Sequence, residues 1–181
     1  MRRSVESREV TSVLDSPDNS FTISVAGEPD VEGIIDLLSS VAAEERWIGT
    51  ELPIDRDARR KGLLATITRK DALVLVAHVG DPIVAEATLL PQWPGLLYLG
   101  MAVELGWRGR GVGTALLDRA IAWARDKKAH KVSLEVFPHN TTAIALYVKH
   151  GFVREGLFRA HVRRRSGELW DSIPMGLRIR Q

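Results

Sequence analysis

The stretch that decides the fold is "GWRGRGVGTALL", residues 106–117, which follows the apolar run "LLYLGMAV" at 96–103. Glycines stand at 109, 111 and 113 with Arg108 and Arg110 among them, and a helix-like run, 114–127, begins directly afterwards. A helix leaves its first four N–H groups without internal partners. Its dipole adds about half a positive charge at that end. Together these make an anion site. Glycine lets a backbone approach a diphosphate closely and take turn dihedrals that a side chain forbids. Arginines add charge-assisted donors. Strand, glycine–arginine turn and helix in this order read as a pyrophosphate cradle made by Arg108, Gly109, Arg110, Gly111, Val112, Gly113 and Thr114.

Other phosphate loops fit less well. A P-loop closes on Gly-Lys-Ser/Thr, whereas Gly113 is followed by Thr114 and Ala115. The dinucleotide fingerprint would need its third glycine at Thr114. Glu135, near the end of the next strand, does stand where a ribose-binding acid would, so nicotinamide binding stays open as a competitor that the glycine spacing disfavours.

Working outward, Val31, Ile34, Ile35, Leu38, Val41 and Ala42 recur on one face of a helix over 31–46, with Asp30 as its N-cap. Asp55 caps a second helix over 56–69, weakened by Gly62. Strands read at 21–26, 72–79, 82–91, 96–103 and 130–137, with Gly80-Asp81 as a tight hairpin connection. Asn140, Ala143 and Tyr147 share a face of a short helix over 140–150, Ile144 and Val148 form a stripe that enters the core, and Gly151 stops the helix. Residues 152–163 and 169–179 form a hairpin joined at "RRSGE". The order is β-α-α-β-β-β-α-β-α-β-β. It predicts an α/β (α+β) fold with a mixed, mostly antiparallel sheet flanked by helices, in which the helical crossover sets strands 96–103 and 130–137 parallel. Residues 1–20 read as a mobile N-terminal arm and 21–181 as a single domain.

A net charge of +2 on 181 residues gives no general affinity for nucleic acid. The absence of cysteine excludes disulfides, thiolate metal sites and a cysteine nucleophile. "MRRSVESREV" lacks the apolar run of a signal peptide, and no apolar run approaches the ~20 residues that cross a membrane, so a cytoplasmic protein with no membrane partner is expected. His78, His130, His139, His150 and His161 show no metal-ligand spacing, and no metal is expected.

"Arg108-x-x-Gly111-x-Gly113" and, further on, "Asn140-x-x-Ala143-x-x-x-Tyr147-x-x-x-Gly151-Phe152" together resemble the two successive motifs of the GCN5-related N-acetyltransferase (GNAT) superfamily. The resemblance runs over about residues 21–179 and is nearest to the small-amine, amino-acid and protein N-terminal acetyltransferases. It implies acetyl-CoA as co-substrate, its pyrophosphate on the loop N–H groups. It further implies that backbone groups of Met101 and Val103 pair with the pantetheine, that the Val103 N–H holds the thioester carbonyl, and that Asn140 and Ala143 lie at the cofactor. Tyr147 falls at the family's general-acid position. A phenol can hydrogen-bond or protonate a departing thiolate, and packing on the cofactor is the other reading of this side chain.

The attacking amine must lose a proton, and a carboxylate can take it. Glu86, Glu135, Glu44 and Glu45 are the candidates. Glu86 is favoured because an acid inside the apolar run "PIVAEATLL" is unusual. Without cysteine, direct attack in a ternary complex is the expected route. The expected function is transfer of an acetyl group to a primary amine of a small molecule or amino acid. A protein N-terminus or lysine as acceptor, and a non-catalytic acyl-CoA-binding module, are the alternatives, and the resemblance leaves a homodimer open. Trp47 with Glu44, Glu45 and Glu51 occupies the loop that borders the acceptor in relatives. Arg163, Arg164 and Arg165 read as a solvated hairpin tip, with contact to an acidic substrate or partner as the minor alternative.

Overall fold

The computed structural model describes residues 11–13, as backbone, and 20–179. Among these residues nine strands form one sheet. They are β1 (Thr11–Val13), β2 (Phe21–Val25), β3 (Leu73–His78), β4 (Ile83–Trp93), β5 (Leu96–Val103), β6 (Lys131–Val136), β7 (Val153–Arg154), β8 (Phe158–Arg163) and β9 (Leu169–Arg178). Four helices accompany them, α1 (Val31–Ala42), α2 (Arg56–Ile67), α3 (Val112–Asp126) and α4 (Thr141–Lys149). The strand order is β1-β2-β3-β4-β5-β6-β9-β7, with β8 paired to β9. The β5–β6 pair is parallel and the others antiparallel, as the crossover through α3 predicts.

The sheet is covered on both faces. Leu73, Leu75 and Ala77 of β3 join the core under α3 and α4, while Val74 and Val76 join the core under α1. Burial on both faces explains the unbroken apolar run of this strand, which alternation alone would not require. In α1 the periodic positions Val31, Ile34, Ile35, Leu38, Val41 and Ala42 are all buried.

Several local features differ from the sequence reading. α1 ends at Ala42, and the chain then turns through Glu45 at φ +54°, so residues 43–46 belong to the loop. Asp30 stands at the N-cap position of α1, as read, but its side chain makes no capping bond to that helix. It lies in a 3₁₀ turn, and its Oδ2 accepts the N–H of Gly27 at 2.7 Å. Asp55 does cap α2, accepting the Ala58 N–H at 3.0 Å. The C-terminal hairpin has a broken first arm, β7 and β8, separated by 155–157 and kinked at Ala160, whose φ is +49°. Thr11–Val13 pair with β2 inside the segment read as an arm, and the rest of that segment lies outside the described residues. No helix among the described residues is long and apolar enough to cross a membrane.

Among the described residues the sheet opens between β5 and β6. β5 and β6 pair only at Leu96–Lys131, Leu97–Val132 and Tyr98–Ser133, and from Leu99 onward the two strands part. β5 stays paired to β4 along its other edge. The wedge is therefore bounded by the free half of one edge of β5, with α3 and α4 on one face and α1 and α2 on the other.

Candidate active site

The register of β4 and β5 settles which backbone groups face the wedge. Glu104 donates its N–H to the carbonyl of Val84 at 2.9 Å. Antiparallel pairs alternate between hydrogen-bonded and non-hydrogen-bonded types. Glu86–Ala102 and Thr88–Gly100 are thus bonded pairs, and Leu99, Met101 and Val103 turn their N–H and C=O groups away from β4. Those groups point into the wedge. The Val103 carbonyl accepts the Nε–H of Arg108 at 2.9 Å, which confirms the direction.

The glycine turn lies at the wide end of this wedge. Gly109 and Gly111 have φ +73° and +84°, the left-handed region where a Cβ is strained. Gly111 is the N-cap of α3, which starts at Val112, two residues earlier than the sequence suggests. The N–H groups of Val112, Gly113 and Thr114 are consequently first-turn donors without intrahelical acceptors. Gly113 has a different task. A Cβ there would meet Leu146 Cδ2 at 3.2 Å, so it lets α3 and α4 pack closely. Arg110 lies with its guanidinium carbon 5.0 Å from the Trp107 ring centroid.

Arg108 departs from the expected role. Its guanidinium binds Glu44 in a fork, Nη1 to Oε2 at 2.8 Å and Nη2 to Oε1 at 2.5 Å, besides the Val103 carbonyl. Its own N–H donates to Leu105 at 3.3 Å. The side chain therefore ties the end of β5 to the end of α1 and is turned away from an anion in the loop. Glu44 also accepts the Trp47 Nε1–H at 2.6 Å. Arg108 foremost, against the opposing effect of burial, holds the Glu44 carboxyl below its ordinary value. A carboxylate so held is a poor proton acceptor.

α4 is fixed at both ends. Asn140 accepts the Ala143 N–H at 3.2 Å as the N-cap. At the other end Gly151 has φ +88°, its N–H bonds Val148, and the Phe152 N–H reaches back to Tyr147. This is a Schellman motif, and its usual apolar contact is present as the Phe152 and Tyr147 rings, 5.7 Å apart. The C-terminal stop thus positions Tyr147, which is 7% exposed. Ile144 enters the core as expected, together with Tyr147, but Val148 is 53% exposed. Burial, then the neighbouring Tyr98 and Glu86, push the Tyr147 phenol above its ordinary value, so it stays protonated at neutral pH.

On the α1–α2 face lies a cleft of about 760 Å³. Its floor is Glu86, Thr88 and Leu90 of β4 with Tyr98, Gly100 and Ala102 of β5, and Met101 on the open edge also borders it. Glu86 is buried and accepts the Thr88 hydroxyl at 2.8 Å. Burial raises its carboxyl to about 7, against smaller lowering effects of Thr88 and Arg59. A base with that value is half ionised where a cell works. The other carboxylates of the sequence reading lie elsewhere. Glu135 accepts Ser172 Oγ at 2.8 Å and faces His161 at 3.4 Å, while Glu45 lines a separate groove with His139 and Trp170.

The roof of the cleft is the loop between α1 and α2, and the β8–β9 turn holds it down. Arg164, read as solvated, is 4% exposed. It contacts Glu51 at 3.2 Å, donates to Ile48 O at 3.1 Å and stacks 4.3 Å from the Trp170 centroid. Arg165 donates its N–H to Glu51 and its guanidinium to the carbonyls of Leu52 and Pro53. Arg163 and Arg165 are exposed, as the solvated reading has them, although Arg165 is tied to the α1–α2 loop; Arg164 is the exception. Sequence reasoning also missed Arg59, Thr88 and Tyr98. The period-two rule could have found Thr88, since it shares a strand face with Glu86. Arg59 comes from a distant segment, and no local pattern marks it. Among the described residues no group of three or more His, Asp or Glu side chains is placed to hold a metal ion.

Residues 39–152 match the family model described as Acetyltransferase (GNAT) family. The chain is 31% identical over 109 residues to the L-amino acid N-acetyltransferase AaaT of Escherichia coli, an alignment covering 56% of this chain and 65% of that protein, just under two thirds of its length. It is 29% identical over 145 residues to the streptothricin acetyltransferase of Streptomyces lavendulae, covering 80% of this chain and 77% of that one. The fold superposes on yncA of Salmonella typhimurium, solved with its cofactor acetyl-CoA, with a TM-score of 0.79 and 21% identity over 89% of this chain and 95% of the other. Two glycine-bearing motifs in register, a wedge in the sheet beside them and a family model matched over more than half of the chain agree: this chain belongs to the acetyltransferase (GNAT) family of acyl-CoA-dependent N-acetyltransferases.

Proposed function

We propose that this chain transfers the acetyl group of acetyl-CoA to the primary amine of a small molecule by direct attack, with Glu86 as general base and Tyr147 as general acid. The observation that carries the reading is the placement of Glu86: buried at the floor of a cleft, on the strand that pairs with the open-edged β5, and with a carboxyl raised to about 7. The naming of relatives as amino-acid and streptothricin acetyltransferases supports an amine acceptor of small size.

In this reading the pyrophosphate rests on the N–H groups of the loop around Gly109–Thr114, and the wedge-facing groups of Met101 and Val103 take the pantetheine and thioester. Glu86 removes a proton from the acceptor ammonium. The freed lone pair attacks the thioester carbon, a C–N bond forms, and the Val103 N–H stabilises the developing oxyanion. Collapse breaks the C–S bond. The electron pair leaves on sulfur and the Tyr147 hydroxyl supplies its proton, while the new amide nitrogen gives up its second proton to restore the phenol and Glu86 releases the first to solvent.

The test has two stages. Acetyl-CoA at about 100 times its Kd should stabilise the fold by ~2.7 kcal/mol, while NADH and ATP should not. Thiol release should then follow from a panel of free amines and amino acids and not from peptides. A shift with NADH alone, or thiol release only with peptides, would overturn the reading.

A further inference from the structure

Two arginines line the cleft, Arg59 from α2 and Arg165 from the β8–β9 turn. The carboxylates that line it with them are already engaged. Glu51 is held by Arg164 and by the Arg165 N–H. Asp55 caps α2. Glu86 is bonded to Thr88 and shares its charge with a proton near neutrality. Arg59 gives one hydrogen bond, to Thr50 Oγ1 at 3.4 Å. Arg165 gives its side-chain bonds to the carbonyls of Leu52 and Pro53, which are neutral acceptors. A guanidinium carries five N–H donors. Both side chains therefore bring positive charge and further donors to a largely apolar cleft, with no carboxylate hydrogen-bonded to either guanidinium among the described residues.

Such an arrangement favours an anion among the occupants. A guanidinium pairs best with a planar carboxylate through parallel hydrogen bonds. The charge of Arg59 is felt at Glu86, so the anion it holds lies near the place where the amine loses its proton. We propose that Arg59 and Arg165 bind a carboxylate of the acceptor, and that the acceptor is accordingly an amino acid and not a simple amine. The inference deepens the acetyl-transfer reading and rests on it.

The experiment compares matched sets: each amino acid, its carboxamide and its decarboxylated amine. Turnover is read as thiol release, and binding to the protein–CoA complex is read by calorimetry. For at least one set, the free acid should exceed both analogues in kcat/KM by about 10- to 100-fold, mainly through KM, the factor that charge-assisted hydrogen bonds carry. Arg59→Gln should reduce that ratio at least tenfold, and Arg59→Lys should retain part of it. Arg59 makes a single weak hydrogen bond to the fold, so its replacement leaves the domain folded. Equal use of acids, carboxamides and amines, or a ratio that Arg59→Gln leaves intact, would overturn the carboxylate site while acetyl transfer stands. If no amine is turned over, the transfer reading fails. Calorimetry then decides separately: binding of the acids alone sustains the carboxylate site, and binding of none overturns it too.

Discussion

On the side of β5 that faces α3 and α4, the proposed site is made of backbone. The positive-φ glycines at 109 and 111, the first N–H groups of α3 and the wedge-facing groups of Met101 and Val103 present donors whose positions do not depend on side-chain identity. On the side that faces α1 and α2, the proposed site is made of side chains: Glu86 and Thr88 of β4, Arg59 of α2 and Arg165 of the β8–β9 turn, drawn from three places in the chain. A shared ligand such as acetyl-CoA suits the first kind of site, and an acceptor that varies from one enzyme to another suits the second. The single side chain that the account needs on the α4 face is Tyr147, locked by the turn at Gly151.

The sharpest way to break this contrast is to change one atom type in the cleft. Glu86→Gln should lower kcat/KM at pH 7 by about 10²–10⁴, the usual worth of a positioned base. The same change should stabilise the protein in alkali. The carboxyl goes from an ordinary 4.5 to about 7 on folding, so the native state holds the proton more tightly. Stability contributed by that proton is full below 4.5 and is lost as pH rises through about 7, a loss of about 3 kcal/mol for one such group. Thermal melts at pH 8 should place Glu86→Gln above the parent chain, and at pH 4 the two should converge.

On the backbone side, Tyr147→Phe should lower kcat by about 100-fold with little change in the KM for acetyl-CoA, because the ring keeps its packing and only the proton donor goes. Steady-state kinetics with both substrates varied would show it. A rise in KM with kcat unchanged would reduce Tyr147 to a packing residue.

These contrasts also explain what was legible in the sequence. The parallel pair β5–β6, the caps at Asp55 and Asn140 and the stop at Gly151 follow from local chemistry that leaves a mark at fixed spacing. The glycine turn into α3 was legible for the same reason, because glycine spacing records backbone geometry. Glu86 stood out as an acid in an apolar strand. The roof of the cleft left no such mark. Arg164 looks like any exposed basic run until β9 brings Trp170 and the α1–α2 loop brings Glu51 and Ile48 beside it. Arg108 misled for a related reason: its place in the motif suggests an anion donor, whereas Glu44, 64 residues away, claims the guanidinium.

The roof supplies a smaller test. Arg164→Ala should cost about 2–3 kcal/mol in stability, since it removes a buried stack and leaves Glu51 and Ile48 O short of a donor, while Arg163→Ala should stay within about 0.5 kcal/mol. Denaturant melts of the two variants compare them directly. The smallest effect is expected on the backbone side. Gly111→Ala has open space for its Cβ but must hold φ +84°, at about 1 kcal/mol, and should weaken acetyl-CoA binding by roughly tenfold or less.

The central claim is that one buried carboxyl in the cleft gates acyl transfer, and the pH dependence of kcat/KM below the titration of the acceptor amine tests it most directly. The rate should rise with pH to a plateau with an apparent pKa of about 7, and Glu86→Gln should lose both the rate and this limb. A variant that keeps the parent's limb and rate would contradict it.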